Sequence, residues 1–476
     1  MIRSRPLPQP RTHKTKIVCT LGPASSSYSM IRKLAEAGMD VVRLNFSYGA
    51  YAQFERVIYD IRRVERILKK PIGILQDLQG PRIRLGELPS PLQVKEGDSI
   101  LFSSRSSSSD TVPLIYAHLT QNLEKGNRIL IGDGALTFKV EKIHSKGVST
   151  VSLSKGILKS HQGVHFPDSE VHIPCPTEKD YKDFEFGLRQ GVDFVALSFV
   201  KSRNDLERLR QRMKQSGHQP HLISKIERPQ AIENLDEILG ASDGTLVARG
   251  DLGLEMGLEE IPILQKKIIG RAAYFGKYVM TATQMLESMI EKENPTRAEV
   301  SDVANAVLDG TDAVMLSGET AAGQFPVESV QMMAKILERV EREIPLIKLK
   351  VGEGNPALSA FGFAQAASEI AEKMKIDRIV PFTFSGSTAL RVSKFRPQAL
   401  VIAMTPQEST WRKMTLFWGV IPLLTPMVKN TDQMFSLARR ELKKRKLVGN
   451  SKSIVLITGI PIQKPGITNL LRVDEV

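Results

Sequence analysis

The stretch LISKIERP, residues 222–229, ends a short apolar run with a lysine and a glutamate. Its apolar residues are of the kind that form a buried strand, and the Arg-Pro pair that follows interrupts this pattern. Side chains two residues apart on a strand point to the same side, so Lys225 and Glu227 are predicted to face one point together. A buried charged pair is a weak source of stability. Its position at the end of a strand therefore favours a functional role.

Seven further runs of β-branched and apolar residues have the same character. They are KIVCT (16–20), VVRLN (41–45), IGILQD (72–77), FVALSF (194–199), TLVARG (245–250), YVMTAT (278–283) and AVMLS (313–317). Helix-like segments of about 12–20 residues separate most of them. One of these segments, residues 297–310, opens with a capping-box pair, Thr296 and Glu299, and ends at a glycine. Eight strands that alternate with helices predict an α/β fold of the (β/α)8 TIM-barrel type.

Two regions depart from this alternation. Between the third and fourth strands lie short alternating runs and turn glycines, so residues 86–173 are predicted to form a small β-barrel domain inserted in the TIM barrel as a lid. After the linker-like GEGNP, strands and helices resume, and residues 357–476 are predicted to form an open α/β regulatory domain. The catalytic barrel then takes residues 12–85 and 174–346, and the basic residues 1–11 form an N-terminal tail.

Composition narrows the functional classes. A chain of 476 residues is too long for one core, which agrees with several domains. No apolar run reaches the roughly 20 residues that span a bilayer, and the first residues lack the apolar core of a secretory signal. We therefore expect no membrane association. Two cysteines outside any CxxC pattern favour a reducing compartment, so a cytoplasmic location is predicted. The net charge of +14 suits anionic partners, from phosphorylated metabolites to nucleic acid.

Polar side chains follow all eight predicted strands. In a TIM barrel the chemistry takes place at the carboxyl ends of the strands. The residues at those ends are Thr20; Arg43, Asn45 and Ser47; Asp77, Arg82 and Arg84; Ser198 and Lys201; Lys225 and Glu227; Arg249 and Asp251; Thr283 and Gln284; Ser317 and Glu319. Any one of them is explained by an ordinary turn or helix cap. Their convergence on one face predicts a charged active site.

Two of these carboxylates, Glu227 and Asp251, have no neighbouring histidine or cysteine, which suits a hard cation, Mg²⁺ or Mn²⁺. Arg249 and Asp251 are also expected to point together, provided that the strand continues that far. Carboxylates beside lysine and arginine indicate a metal that bridges an anionic, phosphorylated substrate. The alternative is that both pairs are ion pairs that close the end of the barrel. The small stabilising value of buried ion pairs favours the functional interpretation.

At these residues the chain resembles the pyruvate kinase family. The matching segments are KIVCTLGPAS (16–25), VRLNFSYG (42–49), ILQDLQGPRIRLG (74–86), residues 178–200, ISKIERP (223–229), ASDGTLVARGDLGLEMG (241–257) and residues 282–326. They cover the barrel almost completely and the other two domains weakly. The family transfers the phosphoryl group of phosphoenolpyruvate to ADP in the last step of glycolysis, giving ATP and pyruvate. The resemblance therefore implies this reaction, Mg²⁺ or Mn²⁺ as cofactor, and a homotetramer.

The resemblance also implies roles for individual residues. Lys225 would stabilise the transferring phosphoryl group, Arg43 would bind the phosphate, and Thr283 would help to deliver a proton to enolpyruvate. Glu227 and Asp251 would hold the metal. The other implied contacts are those of the substrate with Ala248, Arg249, Gly250 and Asp251, and those of the nucleotide with Thr20, Pro23, Asn45 and Arg84.

The chain departs from the family pattern around its third strand. Many members hold K⁺ on the residues that match Asn45, Ser47, Asp77 and Leu78, and carry glutamate where this chain has Arg82. The motif DLQGPRIR, in place of DTKGPEIR, resembles that of a bacterial-type subgroup. Our hypothesis is that a positive side chain at this position supplies the missing monovalent charge, so the enzyme is predicted to work without K⁺. The alternative is that Arg82 is an ordinary surface arginine. In the inserted region, Asp133 of GDG matches the family's contact residue.

The segment TFSGSTAL, residues 383–390, opens a predicted helix with small polar residues. Together with free backbone N–H groups they form a predicted phosphate cradle, made of Thr383, Ser385, Gly386, Ser387 and Thr388. In the family, sugar-phosphate activators bind at this place, so the resemblance implies a sugar-phosphate or nucleotide effector. An ordinary helix N-cap is the alternative explanation.

Two other functions were compared with the kinase. A metal-dependent lyase acting on phosphoenolpyruvate or oxaloacetate would share the carboxylate pair, but would leave the inserted and C-terminal domains unexplained. A nucleic-acid-binding protein would fit the net charge and the basic run ARRELKKRK, residues 438–446, which on a helix is expected to place charges on all faces. No aromatic interleaving or nucleic-acid motif accompanies this run, so no nucleic acid is expected as a partner.

Overall fold

The structure is a computed structural model that describes residues 13–104, 111–132, 134–145, 147–169, 173–343, 350–355, 358–461 and 467–476. The predicted N-terminal tail, most of the serine-rich run at 103–109, and Asp133 lie outside these ranges.

Eight parallel strands form a closed barrel, which confirms the predicted TIM-barrel class. In chain order they are Lys16–Thr20, Val41–Asn45, Gly73–Asp77, Phe194–Leu197, His221–Ile226, Gly244–Ala248, Tyr278–Ala282 and Ala313–Leu316. We refer to them as the first to eighth barrel strands. The third and fourth are neighbours in the barrel, with Asp77 level with Ala196, although the inserted domain separates them in sequence. The eighth pairs with the first and closes the ring.

Helices surround the barrel, and the longer ones pack an apolar face on the strands. They are Tyr28–Ala37, Tyr51–Leu68, Glu178–Gln190, Arg203–Ser216, Pro229–Glu233, Leu235–Ala241, Arg249–Met256, Ile261–Tyr274, Arg297–Leu308, Gly318–Ala321 and Pro326–Glu343, with 3₁₀ turns at Leu258–Glu260 and Glu287–Ile290. The predicted capping box is present, since Thr296 Oγ1 accepts from the Glu299 amide and Glu299 Oε2 accepts from the Thr296 amide. It fixes where that helix begins.

The inserted domain is built on a seven-stranded sheet and a two-stranded sheet. Its strands are Ile83–Arg84, Leu92–Val94, Ser99–Ser103, Thr111–Pro113, Arg128–Ile131, Leu136–His144, Gly147–Ser152, Gly156–Leu158 and Gly163–His165, with one short helix, Leu119–Asn122. A single bridge between Leu85 and Leu114 joins the two edges of the larger sheet, so that it curls into a small barrel. A core that includes Phe102, Ile129 and Phe138 fills it.

The C-terminal domain is an open five-stranded sheet with helices, as predicted. Its strands are Arg378–Pro381, Leu400–Thr405, Val420–Leu424, Ser453–Thr458 and the antiparallel Leu470–Glu475, and its helices are Leu358–Lys373, Ser387–Lys394, Glu408–Lys413 and Thr431–Lys444, with a 3₁₀ turn at Met414–Leu416.

The basic run at 438–446 does not place charges on all faces of its helix, and that expectation was wrong. Ala438 and Leu442 are fully buried against the sheet, and Arg439 pairs with Asp474 at 2.8 Å. The hydrophobic contact therefore determines which side of the helix carries the exposed charges.

The C-terminal domain packs against the amino-terminal end of the barrel through buried charges and rings. Asp312, which is fully buried just before the eighth barrel strand, lies 2.8 Å from Lys394 Nζ and 2.9 Å from Arg396 Nη2. Close by, Phe417 stacks on His221, whose ring also stacks on Tyr278. These contacts join the domain to strands whose other ends carry the predicted site.

Within the described ranges, no helix combines the length and the apolar character that a membrane span requires.

Candidate active site

Lys225 lies at the centre of a buried cluster of charges at the carboxyl end of the barrel. Its ammonium donates to Ser198 Oγ at 2.7 Å and lies 2.9 Å from Glu227 Oε1 and 3.4 Å from Asp77 Oδ1. Burial alone would lower the pKa of Lys225, but the carboxylates of Asp77 and Glu227 reverse this and raise it above the ordinary value. Lys225 therefore stays charged, and the predicted proximity of Lys225 and Glu227 is found in the structure.

Glu227 has no exposed surface. Its Oε2 accepts a hydrogen bond of 2.7 Å from the amide of Phe199, whose backbone is in the left-handed region with φ 57°. Its Oε1 lies 2.9 Å from the Lys225 ammonium, with which it forms an ion pair. Burial and the nearby carboxylate of Asp251 raise the pKa of Glu227, although Lys225 opposes this shift. Two neighbouring carboxylates, one of them with a raised pKa, form an arrangement that a divalent cation would stabilise.

The two carboxylates of Glu227 and Asp251 are oxygen ligands of the kind that Mg²⁺ and Mn²⁺ prefer, although they are only two. Among the described residues, no group of three or more His, Cys, Asp or Glu side chains is placed to hold a metal. A hard cation bound by one or two carboxylates completes its shell with water and substrate oxygens, as Mg²⁺ commonly does with phosphates. The predicted ligands, Glu227 and Asp251, are therefore compatible with a metal that is shared with substrate.

Arg43 and Asp77 form the second half of the charged cluster. Arg43 Nε donates to Asp77 Oδ2 at 2.7 Å, and its Nη1 donates to Thr20 Oγ1 at 3.0 Å. Burial alone would raise the pKa of Asp77, but the charges of Lys225 and Arg43 hold it below the ordinary value. The Thr20 hydroxyl, itself buried, also donates to the carbonyl of Leu316. In this arrangement Thr20 orients Arg43.

The expectation that Arg249 and Asp251 point together along a strand was wrong. The sixth barrel strand ends at Ala248, and Arg249 begins the helix Arg249–Met256. The Arg249 guanidinium turns away from Asp251 and binds both oxygens of Asp302, at 2.8 and 2.7 Å, as well as the carbonyl of Thr283 at 2.6 Å. The change from strand to helix turns successive side chains by about 100° instead of 180°, which separates the two.

Thr283 faces the first turn of this helix. Its Oγ1 accepts from the amide of Gly250 at 3.0 Å and donates to the carbonyl of Ala282 at 2.6 Å. Thr283 and Gln284 both have positive φ, 71° and 52°. Two successive non-glycine residues in this region are strained, and such strain is characteristic of functional sites. Arg249 holds both of their carbonyls.

The remaining predicted residues lie around this cluster, and some of them are buried. Arg82 Nη2 lies 3.6 Å from Asp251 Oδ1. Arg84 is on the first strand of the inserted domain, donates to the carbonyl of His161 and lies over the ring of Tyr48. Asn45 Oδ1 accepts from the amide of Ser47, the carbonyl of Leu78 accepts from Ser198 Oγ, and Pro23 is exposed.

Other polar residues at strand ends support the backbone. Glu319 is buried and accepts from the amides of Leu286 and Ser317. Lys201 and Ser317 belong to loops that lead into helices. These positions agree with the ordinary cap interpretation.

The predicted effector loop lies far from this cluster in the fold, in the C-terminal domain. Thr383 Oγ1 accepts from the amide of Gly386, and Ser385 donates to Ser387 Oγ at 3.1 Å. Thr388 is buried and its hydroxyl lies 3.0 Å from that of Thr468. The loop borders a cavity whose lining includes Met404, Pro426, Thr458 and Ile467. The five predicted residues are therefore together at the start of the helix Ser387–Lys394.

Sequence reasoning missed two residues that organise the site. Asp302 holds Arg249, and it lies in the helix of residues 297–308 that was interpreted only as core. The sequence feature that could have identified Asp302 is its acidic side chain among the apolar positions of that helix. His165, on the last strand of the inserted domain, contacts Glu255 on the helix Arg249–Met256 at 3.2 Å. No sequence pattern indicates this contact, because it joins two domains.

The fold and the site together define a class: a TIM-barrel enzyme whose charged face combines two carboxylates, a buried lysine and an arginine. Comparison with known families makes this specific. Residues 12–330 match the model of the pyruvate kinase barrel domain, and residues 363–474 match that of the pyruvate kinase alpha/beta domain.

Curated relatives agree with these matches. The chain is 42% identical to Pyruvate kinase 2 of Synechocystis sp. over 100% of this chain and 80% of that protein. It is 42% identical to the pyruvate kinase of Methylorubrum extorquens over 98% of each, and 37% identical to that of Clostridium perfringens over 97% of this chain and 100% of that protein. The chain belongs to the pyruvate kinase family.

Proposed function

We propose that this protein transfers the phosphoryl group of phosphoenolpyruvate to ADP, giving ATP and pyruvate. The observation that supports this best is the buried cluster in which Lys225 lies within 3.4 Å of both Glu227 and Asp77, beside Arg43. Phosphoryl transfer depends mainly on positioning and on neutralisation of charge. A closed site with two fixed cations and a pair of potential metal ligands meets both requirements.

The cations are held in place before substrate arrives. Lys225 is fixed by Ser198, and Arg43 by Asp77 and Thr20. Because the raised pKa of Lys225 keeps the ammonium protonated at neutral pH, it can donate to an equatorial phosphoryl oxygen without a prior proton transfer. Such preorganisation lowers the cost of binding a developing charge.

Glu227 and Asp251 are the proposed metal ligands, with Mg²⁺ or Mn²⁺ as the ion. When bound, the ion neutralises charge on the transferring phosphoryl group. The Asp251 side chain lies on the first turn of the helix Arg249–Met256, and the helix N-terminus formed by Ala248 to Asp251 suits the carboxylate of the substrate. In this proposal Arg249 contributes through its backbone, since its side chain is bound to Asp302.

Thr283 is the proposed residue for proton delivery. Its hydroxyl lies at the edge of the proposed carboxylate site, where it donates to the carbonyl of Ala282 and accepts from the amide of Gly250. A hydroxyl in this position can pass a proton to the methylene carbon of enolpyruvate, and can recover one from solvent.

We further propose that the enzyme needs no K⁺. Three members of the monovalent set already accept hydrogen bonds within the chain: Asp77 from Arg43, the carbonyl of Leu78 from Ser198, and Asn45 Oδ1 from the amide of Ser47. Arg82, 3.6 Å from Asp251, carries a positive charge to the same edge of the site. A side chain of fixed charge thus takes the place of an exchangeable ion.

The nucleotide is proposed to bind on the open side of this cluster, where Asn45, Arg84 and Pro23 form the rim. The effector loop, Thr383 to Thr388, is the proposed site of a sugar-phosphate or nucleotide effector, because its hydroxyls and the following helix offer donors around a cavity. A homotetramer and a cytoplasmic location are proposed from the family.

The test is pyruvate formation from phosphoenolpyruvate and ADP with Mg²⁺, in K⁺-free and K⁺-containing buffer, for the wild type and Lys225→Met. We expect ADP- and Mg²⁺-dependent pyruvate with equal rates in both buffers, and a loss of about a thousandfold in the variant. Lys214→Met, an exposed lysine on a barrel helix, is the matched control and should retain full activity.

Each other result has a definite meaning. Consumption of phosphoenolpyruvate that does not require ADP would replace the kinase by a lyase. A strong requirement for K⁺ would refute the role of Arg82 while leaving the kinase intact. Full activity of Lys225→Met would remove Lys225 from the reaction.

A further inference from the structure

The inserted domain touches the barrel at the helix that carries Asp251. His165 Nδ1 donates to Glu255 Oε1 at 3.2 Å, and both side chains are at least nine-tenths buried, with 5% and 10% of their surface exposed. A neutral histidine that bonds to a carboxylate must carry its hydrogen on that nitrogen, so the contact also sets the tautomer.

Glu255 lies on the same helix as Asp251, the proposed metal ligand. It lies four residues after Asp251 on the helix Arg249–Met256, so the two carboxylates share one face of that helix, one turn apart. A contact at Glu255 therefore determines how the inserted domain is placed relative to Asp251.

A second contact lies next to the first. Gly134 of the inserted domain has φ 81°, and a Cβ atom at that position would come within 2.9 Å of Leu254 Cδ2. Only glycine permits this approach without displacing the leucine. Arg82, where the chain enters the inserted domain, lies 3.6 Å from Asp251. The inserted domain thus contacts two positions of one short helix, Leu254 and Glu255, and the segment that leads into the domain lies close to a third, Asp251.

We propose that His165 is a positioning residue, which holds the inserted domain closed over the active site through its hydrogen bond to Glu255. This inference deepens the proposed function and rests on it, because the helix in contact carries a proposed metal ligand and the proposed carboxylate site. His165 touches neither substrate nor metal. It acts by keeping the closed arrangement populated before substrate binds.

The position of the inserted domain relative to the barrel can be measured by a method that does not depend on enzyme activity. Spin labels on cysteines introduced at the exposed positions Lys142, in the inserted domain, and Gln211, on a barrel helix, report the distance between the two bodies. The two natural cysteines, Cys19 and Cys175, are both buried and will not compete for label. The variants are His165→Leu, Glu255→Leu and His165→Asn, with His118→Leu as control, since His118 is an exposed histidine of the same domain that contacts Gln121.

We expect one narrow distance distribution for the wild type and the control. Both leucine variants should show a broader distribution with longer distances. His165→Asn should restore the narrow one, because its amide nitrogen is as many bonds from Cα as Nδ1 of histidine and donates to the same carboxylate. In the kinetic assay the leucine variants should raise KM for phosphoenolpyruvate about tenfold with little change in kcat, because substrate must then select a less populated closed state.

Wild-type distributions in both folded leucine variants would overturn the inference. A fall in kcat with unchanged KM would also overturn it, because that result indicates loss of folded enzyme and not a shift in closure. Should one leucine variant fail to fold, the other decides the outcome. If the wild type lacked kinase activity, the proposed function would fail while the distance measurement still decided whether His165 holds the inserted domain.

Discussion

Replacing Arg82 by glutamate should convert this enzyme into one that depends on K⁺. In the wild type, Arg82 Nη2 lies 3.6 Å from Asp251 Oδ1, and both side chains are partly exposed, at 26% and 18%. At this separation and an effective dielectric constant of about 20, the Coulomb energy of a unit pair is about 5 kcal/mol. Partial exposure screens it, and about 2 kcal/mol is a more realistic value.

Arg82→Glu changes this attraction into a repulsion of similar size at the proposed metal ligand. The change from an attraction of about 2 kcal/mol to a repulsion of about 2 kcal/mol amounts to about 4 kcal/mol. Without a monovalent cation, we therefore expect kcat/KM for phosphoenolpyruvate to fall about a thousandfold. With K⁺ the added carboxylate gains a counter-ion, so most of the lost activity should return.

The assay compares pyruvate formation in K⁺ and in tetramethylammonium at one ionic strength, for the wild type, Arg82→Glu and Arg82→Gln. The glutamine variant separates loss of positive charge from gain of negative charge, and should lie between the other two in tetramethylammonium. Equal activity of Arg82→Glu in both salts would refute the reasoning, because it would mean that the charge at position 82 does not reach the site.

Three further predictions test other parts of the structure. Asp302→Asn should weaken the ion pair that orients Arg249 towards the strained Thr283 loop, and lower kcat/KM about tenfold with a nearly unchanged melting temperature. Unchanged kinetics would show that the conformation of the loop does not depend on Arg249. Asp312→Asn should cost about 3–5 kcal/mol in urea unfolding, since Lys394 and Arg396 are left buried without their carboxylate, whereas Glu343→Gln in an exposed pair should change stability by less than about 0.5 kcal/mol. Burial lowers the pKa of His221 to about 4, below its ordinary value near 6.5. As the pH falls, His221 therefore binds a proton in the unfolded chain before it does so in the folded one. The free energy of unfolding should then decrease between about pH 6.5 and pH 4, by up to about 3 kcal/mol. His221→Phe, which keeps the stacking on Phe417, should abolish that part of the pH dependence; an identical slope in the variant would assign it to other groups.

Periodicity was enough to predict the barrel, because each strand and helix carries its own apolar pattern. The runs at 16–20 and 41–45 match the observed strands residue for residue. Strand ends were less certain: the run at 245–250 continues with residues that suit either strand or helix. In the structure the helix begins at Arg249, whose side chain pairs with Asp302. Local sequence does not contain that partner, which lies in a different βα unit.

The site shows the same division. Lys225 and Glu227 could be placed together because one strand carries both. The positions of Thr20, Arg43 and Asp77 relative to one another depend on the register between the first three barrel strands, and the contact of His165 with Glu255 depends on how one domain docks on another. Neither register nor docking is encoded in a short stretch, so these contacts required the structure.

The inserted domain also affects how the barrel can assemble. Within that domain Arg84 pairs with Gly163, so once it has folded, the chain leaving the third barrel strand and the chain entering the fourth already lie side by side. Closing the gap between those strands then joins two short connections instead of one long loop, which saves about 1 kcal/mol of chain entropy. Because long-range pairing is what slows the folding of such topologies, early folding of this domain would speed ring closure. If the inserted domain folds early, its deletion should therefore slow refolding of the barrel before it affects any other property.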